Sequence, residues 1–157
     1  MKKRLGMTIA TLILGLTQQA FAADDAAKGF WKTIDDVTGK PKAIIQIAET
    51  PEHFLQGTVV KIFPRPGYDQ NEVCEACIGK LHNQRIVGMT VLTGLKAEKD
   101  NPTRWNDGEI LDPNNGKTYR CNAQLMDENK KLNVRGYIGL PLFGRSQVWQ
   151  RVESLEG

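Results

Sequence analysis

Residues 29–47 read GFWKTIDDVTGKPKAIIQI, and their order of residue types sets the fold. Gly29 to Ile34 is a short run of aromatic and β-branched residues with no helical spacing. Asp35-Asp36-Val37-Thr38-Gly39-Lys40-Pro41 interrupts it with turn formers, and AIIQIAE at 43–49 resumes the strand-like pattern. Short apolar runs bounded by Asp, Gly and Pro read as neighbouring strands.

The pattern repeats along the chain. FLQGTVVKIF at 54–63 follows a Thr50-Pro51 corner, and RIVGMTVL at 85–92 follows a long connection, 64–84. WNDGEILD at 105–112 and TYRCNAQLM at 118–126 flank Pro113-Asn114-Asn115-Gly116, residues tolerant of left-handed geometry and so a hairpin signal. KLNVRGYI at 131–138 and SQVWQRV at 146–152 complete the series. Tyr119, Cys121, Ala123 and Leu125 share one strand face, opposite Thr118, Arg120, Asn122 and Gln124. Eight strands in series predict an all-β chain, a single antiparallel up-and-down barrel, which removes sheet edges and can hold one small ligand. A β-sandwich uses similar strands, so the count alone does not choose.

Residues 1–22, MKKRLGMTIATLILGLTQQAFA, have the layout of a cleaved signal peptide. Lys2, Lys3 and Arg4 precede a short apolar run, and Ala20-Phe21-Ala22 offers small residues for cleavage after Ala22. The run is too short for a membrane span of about 20 apolar residues, and no later stretch is longer. The expected localisation is the periplasm. Without this segment the 21 Lys and Arg fall by three to 18, equal to the 18 Asp and Glu. A mature chain of zero net charge has no basic field to attract nucleic acid. Residues 23–28 read as a flexible leader, 29–152 as the barrel domain and 153–157 as a frayed tail.

Gly29-Phe30-Trp31 on the first strand and Trp149-Gln150-Arg151 on the last form the pairing seen in lipocalin and fatty-acid-binding barrels. In a closed barrel these strands are neighbours. The Arg151 guanidinium can then lie over the Trp31 indole and reach backbone carbonyls at the closed end. With the Cys74/Cys77 pair, ILDPNNGKTYRC at 110–121 and VRGYIGLPLFGRSQVWQR at 134–151, the chain resembles domain-of-unknown-function family 2147 over roughly 29–152. That family of small exported bacterial proteins implies a lipocalin-like, calycin-type barrel and supplies no catalytic residues.

VCEACIGK at 73–80 contains two of the three cysteines. Covalent haem needs His after the second Cys, where Ile78 stands. A thioredoxin-type pair needs a helix N-terminus, and Glu75 would raise the thiol pKa. Zinc would need Cys121, His53 or His82 as further ligands. In an oxidising compartment a disulfide staple is the better reading. Three pairings exist, and Cys74–Cys77 is favoured, leaving Cys121 as a buried thiol. Asp35, Asp36 and Asp112 read as turn formers, and Gly136, Gly139 and Gly144 as bends at a barrel rim. No catalytic constellation, metal site or cofactor site emerges.

The expected function is therefore a non-enzymatic, exported barrel that binds a small, largely apolar ligand. Candidate lining residues are Trp31, Met89, Tyr119, Trp149 and Arg151. The alternative is a cell-envelope protein-interaction module with a filled barrel and the 64–84 loop as its contact surface. A thiol-disulfide oxidoreductase using Cys74 and Cys77 is the third reading.

Overall fold

Inward residues alternate with outward ones along the strands, as on β6, where Cys121, Ala123 and Leu125 are buried and their neighbours are not. The computed structural model describes residues 26–67 and 69–156; the expected signal segment lies outside them. The strands are β1 (Gly29–Ile34), β2 (Pro41–Glu49), β3 (Leu55–Ile62), β4 (Thr90–Glu98), β5 (Asn101–Asp112), β6 (Lys117–Met126), β7 (Lys131–Tyr137) and β8 (Arg145–Val152). Each pairs antiparallel with the next, and β8 pairs with β1, so the sheet closes into a barrel. The β1–β8 ladder decides against a sandwich.

The fourth strand runs from Thr90 to Glu98, beyond the expected 85–92. Gly88 adopts a left-handed conformation (φ 95°), and residues 85–89 belong to the incoming loop. Ile86 and Val87 pack against the core from that loop, which is why their sequence resembles a strand. Leu95-Lys96-Ala97-Glu98 has weak strand preference. Pairing of Lys96 with Asn106 and Ala97 with Trp105 overrides it.

One end of the barrel is closed by a single cation. Trp31 and Arg151 are directly paired across β1 and β8, so both side chains project from one face. The Arg151 guanidinium lies 4.2 Å from the indole centroid. Its Nε donates to the Asn129 carbonyl at 2.7 Å, one terminal nitrogen donates to Lys28 O at 2.9 Å, and the other to Ala26 O. Trp31 Nε1 donates to Ala27 O at 2.8 Å. Gly29 has a positive φ of 122°, and a Cβ there would stand 3.2 Å from the guanidinium. Glycine meets both demands. The final residues of the expected flexible leader are thus tied across this end, with Ala27 buried in the core. The expected frayed tail also makes a contact, since Lys61 Nζ donates to Leu155 O at 2.6 Å.

Above the plug, the lower lumen is packed by glycine-permitted close approach. A Cβ on Gly57 would sit 2.9 Å from the Ile45 side chain, and one on Gly108 would sit 2.7 Å from Leu95. Trp105, Leu92, Leu95 and Leu132 fill the remaining space, all essentially inaccessible to solvent. Cys121 is a free, buried thiol in this layer, and burial pushes its pKa up to about 12.

At the other end the 63–89 connection folds over the rim. Cys74 and Cys77 form a disulfide, and both residues are buried. The stapled loop rests on the β5–β6 turn: a Cβ on Gly116 would overlap the Ala76 carbonyl. The loop is further held by Gln70, which bonds to the Ile62 backbone, and by Arg85, which donates to Gln70 O and Asn71 Oδ1, both at 2.9 Å.

Arg151→Ala should lower stability by about 2 kcal/mol through lost stacking and charge-assisted hydrogen bonds. Arg151→Lys should recover little, because a point charge cannot reach three carbonyls at once. Thermal melts of the three proteins check this; equal midpoints would make Arg151 a free surface charge. For the cysteines, alkylation without reductant should label no thiol in the folded protein and one, Cys121, after denaturation. Cys74→Ser/Cys77→Ser should cost less than about 2 kcal/mol, since the bridge closes a very short loop. A midpoint loss comparable with that of Arg151→Ala would contradict this.

Candidate functional site

The upper half of the lumen is not filled. A cavity of about 330 Å³ lies there, with walls drawn from all eight strands, the long loop and the β5–β6 turn. Ile45, Val59, Ile62, Val91, Val134 and Trp149 give it an apolar body. Gly136 contributes an open patch of wall: a Cβ there would meet only Ile110 and Tyr119, at 3.5 and 3.7 Å. Contacts at that distance are ordinary, in contrast to the tight ones at Gly57 and Gly108. A gap in the packing and a missing side chain thus coincide.

Polar groups gather toward the rim. Asp112 opens the β5–β6 turn, and its carboxylate accepts from Asn114 N, Asn114 Nδ2 and Asn115 Nδ2 at 3.0, 2.7 and 3.2 Å. Asn115 Nδ2 also donates to the Tyr119 hydroxyl at 3.0 Å. Asp35 closes the β1–β2 turn by accepting from Thr38 N, Thr38 Oγ1 and Val37 N. The hydrogen bonds from Thr38, backbone first and hydroxyl second, hold its carboxyl below the usual range. Asp36 accepts from Gln147 and pairs with Arg145, both at 3.0 Å, tying that turn to β8. All three aspartates are occupied in building turns, an arrangement unlike a pair of carboxylates poised for acid–base work.

Of the residues expected to line a ligand site, Tyr119 and Trp149 stand in the cavity wall. Trp31 and Arg151 do not, because they form the plug at the closed end. Met89 does not either: it ends the long loop, its carbonyl accepts from Val59 N at 2.9 Å, and its side chain packs in the core. The wall also contains Lys42, Arg65 and Arg145, which strand periodicity does not single out. Arg65 lies in a loop, where alternation says nothing, and Lys42 occupies an irregular strand position. Among the described residues, no group of three or more His, Cys, Asp and Glu could hold a metal. Nor is any helix there long and apolar enough to cross a membrane.

The buried bridge sits in loop structure, with no helix beginning at Cys74. His82 Nδ1 lies 3.0 Å from the Cys77 carbonyl oxygen, a contact that helps fold the loop back. An exchange-active disulfide needs an attackable sulfur and a helix dipole or cation to stabilise the thiolate. Cys74 and Cys77 are 0% and 3% exposed, so this setting favours a staple.

Comparison with known proteins agrees with this geometry. The structure of HP1028 from the human pathogen Helicobacter pylori, described as belonging to the lipocalin family, superposes with a TM-score of 0.68. The match covers 83% of this chain and 85% of that one at 18% sequence identity, so it speaks for the fold alone. No curated protein matches the sequence. A family model described as "Uncharacterized protein conserved in bacteria (DUF2147)" matches residues 29–151. That span holds the Trp31–Arg151 pair, the stapled loop and all of the barrel but its last strand residue, and the chain belongs to the DUF2147 family.

Proposed function

We propose that this protein is an exported, periplasmic binding protein that holds a small, largely apolar ligand in the upper lumen and catalyses no reaction. The observation that carries the reading is the cavity of about 330 Å³ above a tightly packed lower half. Its volume falls at the lower end of the range of small-molecule sites, and its lining combines an apolar body with a few polar groups, as such sites do. Trp149 and Tyr119 are the wall residues we assign to ligand contact. Export is supported by the layout of residues 1–22 and by a disulfide that suits an oxidising compartment.

A second reading rests on a different feature. Ile138, Leu140, Leu142 and Phe143, in the β7–β8 connection, are 64–79% exposed, and Ile78 on the stapled loop is 84% exposed. Apolar tips on two rim loops favour a contact with an envelope protein at the open end. The two readings are compatible, because the tips surround the lumen and do not fill it.

Native mass spectrometry of protein released gently from a periplasmic extract tests the first reading. The expected spectrum shows the mature chain beginning at Ala23 with a small-molecule adduct. Gly136→Leu, which fills the open wall, should lose that adduct while melting near the parent temperature. A chain that carries no adduct and binds no added apolar alcohol would overturn the ligand reading. Recovery of the intact chain only from the cytoplasm would overturn export.

A further inference from the structure

Lys42 and Ala43 are adjacent on β2, yet both line the cavity. In an unbroken strand, successive side chains point to opposite faces. The register explains the exception. Thr33 of β1 opposes Ala43 and Ile34 opposes Pro41, so Lys42 is an extra residue in a β-bulge. The bulge is fixed from across the ladder: Thr33 Oγ1 donates to Ala43 O at 3.3 Å and accepts from Ala43 N at 3.1 Å. Thr33 is itself buried, only 6% exposed. A bulge of this kind re-aims a side chain, and here it brings a cation to an apolar lumen.

The charge balance of the lining sharpens the point. Lys42, Arg65 and Arg145 line the cavity with one acid, Asp112, which accepts from three neutral turn donors, and Asp35 lies within electrostatic reach of Arg65. Arg145 is paired with Asp36. The Lys42 ammonium makes no ion pair or hydrogen bond with any described residue, and Lys42 as a whole is half-buried. A half-buried cation beside apolar walls lacks part of its hydration, and an anionic ligand group would restore the lost interactions.

Resting on the ligand-binding reading above, we infer that the occupant is an amphiphile with one acidic head group, a carboxylate or a phosphate, held at Lys42. The apolar body lies against Val59, Val134 and Trp149. A cavity of about 330 Å³ suits one small amphiphile with a single short chain.

Titration calorimetry with decanoate, octyl phosphate, 1-decanol and decyltrimethylammonium tests the inference on the mature protein. The anionic probes should bind about ten-fold or more tighter than the alcohol, the gain of one charge-assisted hydrogen bond, and the cation should bind weakest. Decanoate and octyl phosphate, each referred to the alcohol of its own chain length, identify the head group. Lys42→Met should abolish the preference for anions and leave decanol binding within about two-fold, whereas Lys42→Arg should keep it. Decanol binding as tightly as both anions to the unmodified protein overturns the inference and leaves the ligand reading standing. So does a preference that survives Lys42→Met. Failure of all four probes to bind overturns both. The comparison among probes on the unmodified protein decides the matter even if a Lys42 variant fails to fold.

Discussion

Closure depends on one guanidinium. β1 and β8 share only three paired positions, Phe30↔Val152, Trp31↔Arg151 and Lys32↔Gln150, so backbone hydrogen bonds alone leave the seam weak. Arg151 reinforces it from three directions. It covers the Trp31 indole, grips the incoming chain at Ala26 and Lys28, and reaches Asn129 in the β6–β7 turn. That turn holds Asp127, Glu128 and Asn129 at positive φ, a conformation uncommon in non-glycine residues, and the bond to Arg151 helps keep it in place. The first strand, the last strand and a distant turn thus share one anchor. The barrel's other features presuppose it, because an unclosed sheet has two free edges and no lumen.

With one end sealed, the barrel divides into a dense half and an open half, and glycine marks the difference. Gly57 and Gly108 let neighbouring side chains approach to distances that any Cβ would forbid, and the lower lumen is correspondingly full. Gly136 faces a space in which a Cβ would be comfortable, so its lack of a side chain leaves room that packing does not require. A barrel of this size needs only slight adjustment of its inward residues to be either filled or hollow. Here both outcomes occur in one lumen, stacked along the axis. Cys121 belongs to the dense half, where Gly108 makes room for its sulfur and burial keeps it protonated.

Much of this is legible in the sequence where periodicity is unbroken. The β5–β6 and β6–β7 hairpins and the inward face of β6 follow from spacing and turn chemistry, and the Trp31–Arg151 pairing from the resemblance to lipocalin barrels. Spacing and an oxidising compartment favour Cys74–Cys77 among three pairings and leave the other two open. Irregularity defeats the same reasoning. Ile86 and Val87 look like strand because a loop that packs on a core needs the same apolar residues as a strand. Trp31 and Arg151 are expected both to close the barrel and to touch a ligand, because an aromatic and a cation suit either role. Lys42 is invisible for a sharper reason: a one-residue slip reverses which face every position occupies, and no residue type in GKPKAI announces where the slip falls.

The stapled loop illustrates how a feature of little energetic weight can still shape a site. A bridge between residues three apart removes little entropy from the unfolded chain, so its value lies in the native geometry it imposes. That geometry is specific. It presents the Ala76 carbonyl so close to residue 116 that only glycine fits, and Gly116 in turn uses a positive φ of 67° to close the β5–β6 turn. The same turn supplies Asp112, Pro113, Asn114 and Asn115 to the cavity wall. Asp112 spends its carboxylate on Asn114 and Asn115, and Asn115 orients the Tyr119 hydroxyl. The disulfide therefore acts on the lumen through the turn it leans on, fixing the position of the one acid in the wall. With that acid held by the turn, Lys42 in the same wall faces the cavity without pairing with it.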